Sequence, residues 1–185
     1  MDLTETFLSR EDVFCGRVLR VHVDRVRLPN GRESTREVAD HPGGVTILAL
    51  DAQDRVLLVE QYRYVFGRTM WELPAGKLEP NELPQEAALR ELREETGAVP
   101  EEFIPFGELI VSPGCYGERL YCYLARGLRF AESAPDEDEF LRVKRVPWEQ
   151  VLRAVLEGSI QDAKTVAAVL RYHAVRGERL GTCGS

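Results

Sequence analysis

The chain has little of what would mark it as a secreted, membrane-bound or nucleic-acid-binding protein. Its four cysteines, Cys15, Cys115, Cys122 and Cys183, form no C-x-x-C pair, and no Cys/His grouping has zinc spacing. That excludes a zinc ribbon and predicts reduced, buried thiols in a cytosolic protein. No apolar run approaches the ~20 residues a membrane-spanning helix needs. The opening stretch "MDLTETFLSRED" has no apolar core segment, so no signal peptide is expected. Basic residues are in the minority, 24 against 31 acidic ones, for a net charge of -7. A general attraction to nucleic acid or anionic membrane is therefore absent. An acidic protein that handles a phosphate-bearing substrate needs local arginines or a metal. His22, His41 and His173 share no spacing and are assigned no role. Trp71 and Trp148 read as core residues.

What is present is an ordinary globular composition. Hydrophobic residues make up 44% of 185 and charged residues 30%, enough for one domain with a small appendage. Residues 13–40 alternate like strands around the turn "LPNGRE", whose Asn30-Gly31 is a hairpin signal. "GGVTILAL" and "RVLLVEQYR" read as buried strands joined by "DAQD". "PQEAALRELREETG" reads as a helix, with Pro84 in its first turn and Gly97 just past its end; Leu83 is a poor N-cap, so Asn81 or Glu82 serves instead or tertiary contacts hold the start. "FIPFGELIVS", "GERLYCYLARGL" and "LRVKRVPW" follow as strands, with "ESAPDEDEF" an acidic loop. "WEQVLRAVLEGS" and "DAKTVAAVLRYHAVRG" are amphipathic helices. The mixture predicts a layered α/β domain with a mixed sheet over 41–185, preceded by a small antiparallel sheet over 1–40.

The helix carries an anomaly. Glu91, Glu94 and Glu95 stand at i, i+3 and i+4, on one face. Like charges at that spacing cost roughly 0.2–0.5 kcal/mol per pair. At ~4 Å and an effective dielectric near 20, two unit charges repel by about 4 kcal/mol. A bound divalent cation reverses that sign, and carboxylate oxygens suit Mg²⁺ or Mn²⁺. Arg90 can pair with Glu94 or Glu86 and so orient a ligand.

Read outward, the segment runs Gly76, five residues, Glu82, seven residues, Arg90-Glu91-Leu92, one residue, Glu94-Glu95, one residue, Gly97. This resembles the Nudix box, with Ala98 standing where the family has a bulky aliphatic residue. The resemblance implies a mixed sheet sandwiched between helices and hydrolysis of a diphosphate linked to another moiety. It implies that Glu91, Glu94 and Glu95 ligate Mg²⁺, with Mn²⁺ or Zn²⁺ as alternatives and Glu82 as an auxiliary group.

The stretches "EQYRY", "WELPAGKLE", "VSPGCYGE", "PDEDEF" and "IQDAKT" are similar to the ADP-ribose pyrophosphatase and nucleoside diphosphate sugar hydrolase branch, with Pro113 near that branch's marker proline. From that likeness the Ala75 carbonyl is a further metal ligand and Arg63 binds the diphosphate. Arg36 is a second substrate arginine. Glu72 lies near the metal loop or a substrate hydroxyl. Gly114 and Glu118 contact substrate, although Cys115, Tyr116 and Gly117 depart from the branch there. Glu139, or its neighbour Glu137, is the catalytic base, with Arg90 among the catalytic groups. The expected reaction is Mg²⁺-dependent hydrolysis of ADP-ribose to AMP and ribose 5-phosphate, with GDP-mannose or another nucleoside diphosphate sugar as the alternative substrate. A non-catalytic ADP-ribose-sensing module is the remote one. A cytoplasmic homodimer built through residues 1–40 is also implied.

Overall fold

The computed structural model describes residues 2–130 and 140–176. Its elements in chain order are β1 (Thr6–Cys15), β2 (Arg20–Arg27), β3 (Glu33–Asp40), β4 (Gly44–Ala49), β5 (Arg55–Arg63), a 3-10 turn (Tyr64–Phe66), β6 (Arg68–Glu72), β7 (Ala75–Lys77), α1 (Pro84–Thr96), β8 (Ala98–Val99), β9 (Glu102–Ser112), β10 (Tyr116–Arg126), β11 (Arg129–Phe130), β12 (Leu141–Pro147), α2 (Trp148–Leu156) and α3 (Ala163–Val175). They form two compact units. One runs up to Gly43 and includes Ile110–Arg119, and the other comprises Gly44–Leu109 and the chain from Leu120 onward.

In the first unit β1, β2 and β3 form an antiparallel meander. The β2–β3 turn works as its residues dictate. The Gly31 N–H donates to the Leu28 carbonyl at 2.9 Å, with Gly31 at φ +83. The Asn30 side chain accepts the Arg32 N–H at 3.1 Å. Tyr116, at the start of β10, pairs in parallel with Ala39 of β3.

Strand β1 goes beyond the strand pattern expected from residue 13 onward. It is exposed on both faces, and its register slips between Phe7 and Ser9 and between Asp12 and Phe14. A strand with no buried face writes no alternation into the sequence. The same exposure corrects the expectation of buried thiols. Cys15, at the end of β1, and Cys115, in the turn before β10, are both exposed. Among the described residues Cys122 is the buried cysteine, and desolvation pushes its thiol up to about 11.

The second unit is layered. Every residue of β4 is buried, and β4 lies parallel to β10 and antiparallel to β7. Successive side chains point to opposite faces of a strand. Val45, Ile47 and Ala49 accordingly pack with Ala87, Ala88 and Leu92 of α1. Leu48 and the adjoining Leu50 pack with Trp148, Val151 and Leu152 of α2 and with Val169 and Tyr172 of α3. β5, flanked by β12 and β6 in an antiparallel sheet, divides likewise, with Leu57 on the α1 side and Val56 and Leu58 on the other. The mixed sheet between helices is the expected architecture. Ala98 is fully buried in the α1 cluster. Trp148 is a core residue, and Trp71 is half-buried with the Lys144 ammonium 4.3 Å from its ring centroid.

Helix α1 begins at Pro84 and closes at Gly97, whose φ of +69 lets its N–H reach the Arg93 carbonyl at 2.8 Å. Neither Asn81 nor Glu82 caps its start. The flanking residue is Leu83, and no side chain caps the first turn. Asn81 occupies a left-handed turn position at φ +65, and the Glu82 carboxylate is committed elsewhere. Among the described residues no helix is long and apolar enough to cross a membrane.

Candidate active site

The carboxylates of α1 are organised by one arginine. The Arg90 Nε and Nη2 donate to the two Glu82 oxygens at 2.8 and 3.0 Å. Its Nη1 donates to Glu91 at 2.8 Å and to Glu94 at 3.0 Å. Glu86, considered from spacing alone, is not among these partners, and Glu82 takes the second place. The bond from Arg90 holds the Glu82 carboxyl below the usual range despite some desolvation. Glu95 turns the other way, its carboxylate accepting the Ala75 N–H at 3.0 Å. That contact ties the helix to β7.

Gly76, also on β7, faces the second carboxylate of the flank. A Cβ there would overlap the Glu91 carboxyl group. The glycine of the box is thus required by a close approach of strand and side chain, since its φ is not in the left-handed region. Three carboxylates, Glu82, Glu91 and Glu94, share the guanidinium of Arg90, and Glu95 lies on the same helix flank. Among the described residues no three His, Cys, Asp or Glu side chains are placed together to hold a metal ion. Glu91 and Glu94 converge on the arginine instead, while Glu95 bonds the backbone. The donor set nevertheless fits a hard divalent cation, being oxygen-only and in anionic surplus.

A second cluster lies at the ends of β5 and β6. Glu72 is only 2% exposed. Its carboxylate accepts two bonds from Arg63, from Nε at 2.7 Å and Nη2 at 2.6 Å, and a third from Lys164. Burial pushes the Glu72 carboxyl upward, but the Arg63 bonds and the Lys164 charge outweigh it and hold it below the usual range. Glu72 raises the Arg63 guanidinium most, against desolvation, and the charge of Glu95 adds to this. The two clusters are neighbours along the chain, since Glu72 stands three residues before Ala75, whose N–H Glu95 accepts. Arg63, expected to meet a diphosphate, has one edge of its fork occupied by Glu72.

The remaining expected residues fall in the other unit or outside the described residues. Arg36 pairs with Glu5 and donates to the Thr35 carbonyl at 2.8 Å. Glu118 lies 3.7 Å from the His41 Nδ1. Gly114 stands in the β9–β10 turn with open space where a Cβ would be. These three belong to the first unit. Glu137 and Glu139 lie outside the described residues.

The stretch "IQDAKT" carries part of the branch likeness, but the sequence assigned no role to its Asp162, Lys164 and Thr165. Asp162 caps α3, accepting the Thr165 N–H at 3.0 Å and the Thr165 hydroxyl at 2.5 Å. The Thr165 Oγ1 in turn accepts the Leu73 N–H at 2.9 Å. Lys164 bonds Glu72 and also lies 2.9 Å from Asp162. The available signal was a lysine in the first turn of a helix, where a cation opposes the helix dipole.

Comparison with known proteins follows this geometry. Residues 40–169 match the model of the NUDIX domain, and residues 5–39 match that of the nucleoside diphosphate sugar hydrolase N-terminal domain. The chain is 41% identical over 167 residues to a methanol dehydrogenase activator of Bacillus methanolicus, spanning 89% of this chain and 90% of that one. It is 40% identical over 169 residues to an ADP-ribose pyrophosphatase of Bacillus subtilis, spanning 90% and 91%. A solved structure described as an ADP compounds hydrolase superposes with a TM-score of 0.84 at 23% identity, covering 96% of this chain and 98% of the other, a likeness of fold.

Proposed function

Because the chain belongs to the Nudix family, we propose that it hydrolyses the diphosphate bond of ADP-ribose, in a magnesium-dependent reaction, to AMP and ribose 5-phosphate. The observation that carries this is the anionic surplus at α1, where Glu82, Glu91 and Glu94 share the Arg90 guanidinium and Glu95 bonds Ala75, three residues after the Glu72 that holds Arg63. The similarity to the Bacillus subtilis ADP-ribose pyrophosphatase chooses the substrate.

Glu91, Glu94 and Glu95, with the Ala75 carbonyl and Glu82 as an auxiliary group, would hold Mg²⁺, or Mn²⁺ or Zn²⁺ in its place. A cation bound there supplies charge neutralisation for the diphosphate and acidifies a water. The protein's own groups do the rest. Arg63 presents the edge of its guanidinium away from Glu72 to a phosphate oxygen, a geometry suited to bidentate donation. Arg90 orients the Glu82, Glu91 and Glu94 carboxylates. Glu139, or Glu137, takes the proton of the attacking water as its oxygen joins phosphorus and the bridging P–O bond breaks. Arg36, Gly114 and Glu118 contact the substrate. The N-terminal sheet region, residues 1–40, joins two copies into a homodimer, and the enzyme works in the cytoplasm.

A substrate panel tests this. ADP-ribose and GDP-mannose, each with Mg²⁺, are incubated with the protein and the products separated by chromatography. AMP from ADP-ribose, formed faster than GMP from GDP-mannose, is the expected result. GMP without AMP would move the activity to the other nucleotide sugar. Tight ADP-ribose binding with no product in excess Mg²⁺ would replace the enzyme with a sensing module.

A further inference from the structure

Lys164 is placed against the ordinary electrostatics of its helix. It sits in the first turn of α3, where backbone N–H groups already concentrate positive charge and the Asp162 cap is the acidic group at the helix start. It is also a lysine with a side chain only 11% exposed, and burying an ammonium is costly without a partner. Both costs are offset at one point, the Glu72 carboxylate, with Asp162 as a second contact. Glu72 in turn has its two oxygens on the two donor atoms along one edge of Arg63.

The connections form a closed circuit. Arg63 ends β5, Glu72 ends β6, and Lys164 and Thr165 open α3 behind the Asp162 cap. Thr165 returns to the backbone of Leu73, next to Glu72. Glu72 is held by both Arg63 and Lys164, Lys164 by both Glu72 and Asp162, and, among the described residues, Arg63 by Glu72 alone. A guanidinium gripped along one edge by a fixed carboxylate has its remaining N–H groups aimed in one direction. The aim of Arg63 is therefore only as well defined as the position of Glu72, and Glu72 is anchored from behind by Lys164.

We infer that Lys164 is a positioning residue for substrate binding: through the buried carboxylate of Glu72 it fixes the direction in which Arg63 presents its outer edge to the diphosphate. This rests on the reading of Arg63 as the group that meets the diphosphate. Lys164 itself touches no substrate. Without it, Glu72 has one cation rather than two, the carboxylate gains freedom to turn, and Arg63 turns with it. The loss falls on substrate binding rather than on the bond-breaking step, because the carboxylates of α1 are untouched.

The test uses the whole protein with ADP-ribose and Mg²⁺. Lys164→Met and the polar, similarly shaped Lys164→Gln are compared with Lys164→Arg, Arg63→Ala and the Arg63→Ala/Lys164→Met pair. Lys164→Met or Lys164→Gln raises KM about tenfold and changes kcat less than threefold, in line with the loss of uniform binding. Lys164→Arg recovers KM to within about threefold, since it retains the cation. In the Arg63→Ala background, Lys164→Met adds no further rise, because its route to substrate is gone. If Arg63→Ala leaves KM unmoved, the reading of Arg63 fails and takes this inference with it. If Arg63→Ala raises KM but neither lysine substitution does, the inference alone fails. A fall in kcat at constant KM, or full additivity in the pair, also overturns it, for either is what a merely structural lysine would give.

Discussion

Two clusters of glutamate and arginine lie side by side in the second unit, built on opposite principles. On α1 one guanidinium serves Glu82, Glu91 and Glu94, and Glu95 leans on the backbone of Ala75. At the ends of β5 and β6 a single buried carboxylate is served by two cations, Arg63 and Lys164, with Asp162 balancing the second. The first cluster is short of positive charge and the second is balanced. A balanced cluster is complete in itself and can act as scaffold. A cluster in anionic surplus stores repulsion that a divalent cation would relieve. The contrast separates a group of side chains held for positioning from one held ready for a ligand.

The strongest way to break the comparison is to discharge the surplus. Glu94→Gln removes one anion from the α1 flank and leaves Arg90 with Glu82 and Glu91. Turnover of ADP-ribose is expected to fall at least about a thousandfold, a transition-state loss of ~4 kcal/mol. Thermal stability without metal should stay level or rise, since a like-charge pair on the helix is gone. Calorimetric unfolding beside a steady-state assay checks both. Full activity in the variant would mean that the surplus is only a solvated helix face.

Gly76→Ala attacks the same cluster by shape alone. The new Cβ meets the end of the Glu91 side chain, which can swing aside, so the stability loss should stay below about 1 kcal/mol. The displaced carboxylate is misplaced for its role, and about a hundredfold loss of activity is expected. An equal loss of stability and activity would instead mark Gly76 as a folding requirement of β7.

In the balanced cluster the prediction concerns stability and pH. Glu72→Gln leaves two cations around a neutral amide. The cost is about 2 kcal/mol at neutral pH, less than for a fully buried pair because Arg63 is 39% exposed. The sign of the pH dependence follows from linkage. The Glu72 carboxyl ionises below its ordinary value near 4.5 in the folded protein, so on acidification the unfolded chain takes up the proton first. Its contribution is complete above about pH 4.5 and is lost as pH falls through the lower folded value. Urea unfolding between pH 3 and pH 7 should show the wild type and Glu72→Gln converging at the acid end. Parallel curves would remove Glu72 from the ionised scaffold.

The two clusters were unequally legible in the sequence. The α1 cluster is local: Gly76 to Gly97 is one loop and one helix, and the 3.6-residue period alone puts Glu91, Glu94 and Glu95 on one face. The direction in which those carboxylates turn was not legible. The preference of Arg90 for Glu82 over Glu86 depends on the path of the loop before Pro84. The second cluster joins residues 63, 72 and 164, which only the packing of α3 against the sheet brings together. "WELPAG" and "DAKT" could be noticed separately, but nothing in either says that a carboxylate in one meets an ammonium in the other. The layered fold was readable because β4, β5 and three amphipathic helices carry strong periodicity. Strand β1 and the exposed Cys15 escaped because a two-sided exposed strand has no periodicity to read.

The clusters differ finally in how their helices begin, and this allows the smallest and most selective test. Helix α3 starts with Asp162, which caps the first turn and also contacts Lys164, so helix stability and side-chain placement share one residue. Helix α1 starts at Leu83, which has extended backbone angles and no capping bond, and is 62% exposed. Its first-turn N–H groups therefore lack the side-chain acceptor that α3 has. Leu83→Ser supplies a hydroxyl acceptor in a conformation already suited to a cap and exposes little apolar surface that was buried. The gain should be ~0.5–1 kcal/mol, or a rise in Tm of about 1–4 °C for a chain of this size. Kinetics toward ADP-ribose should not change, because Glu91, Glu94 and Glu95 lie two turns or more further along the helix and Glu82 is held by its two bonds from Arg90. If Tm rises and kcat/KM falls together, then looseness at the start of α1 is itself part of how the anionic flank works, and the division between a rigid scaffold and a charged flank held on a rigid helix would have to be redrawn.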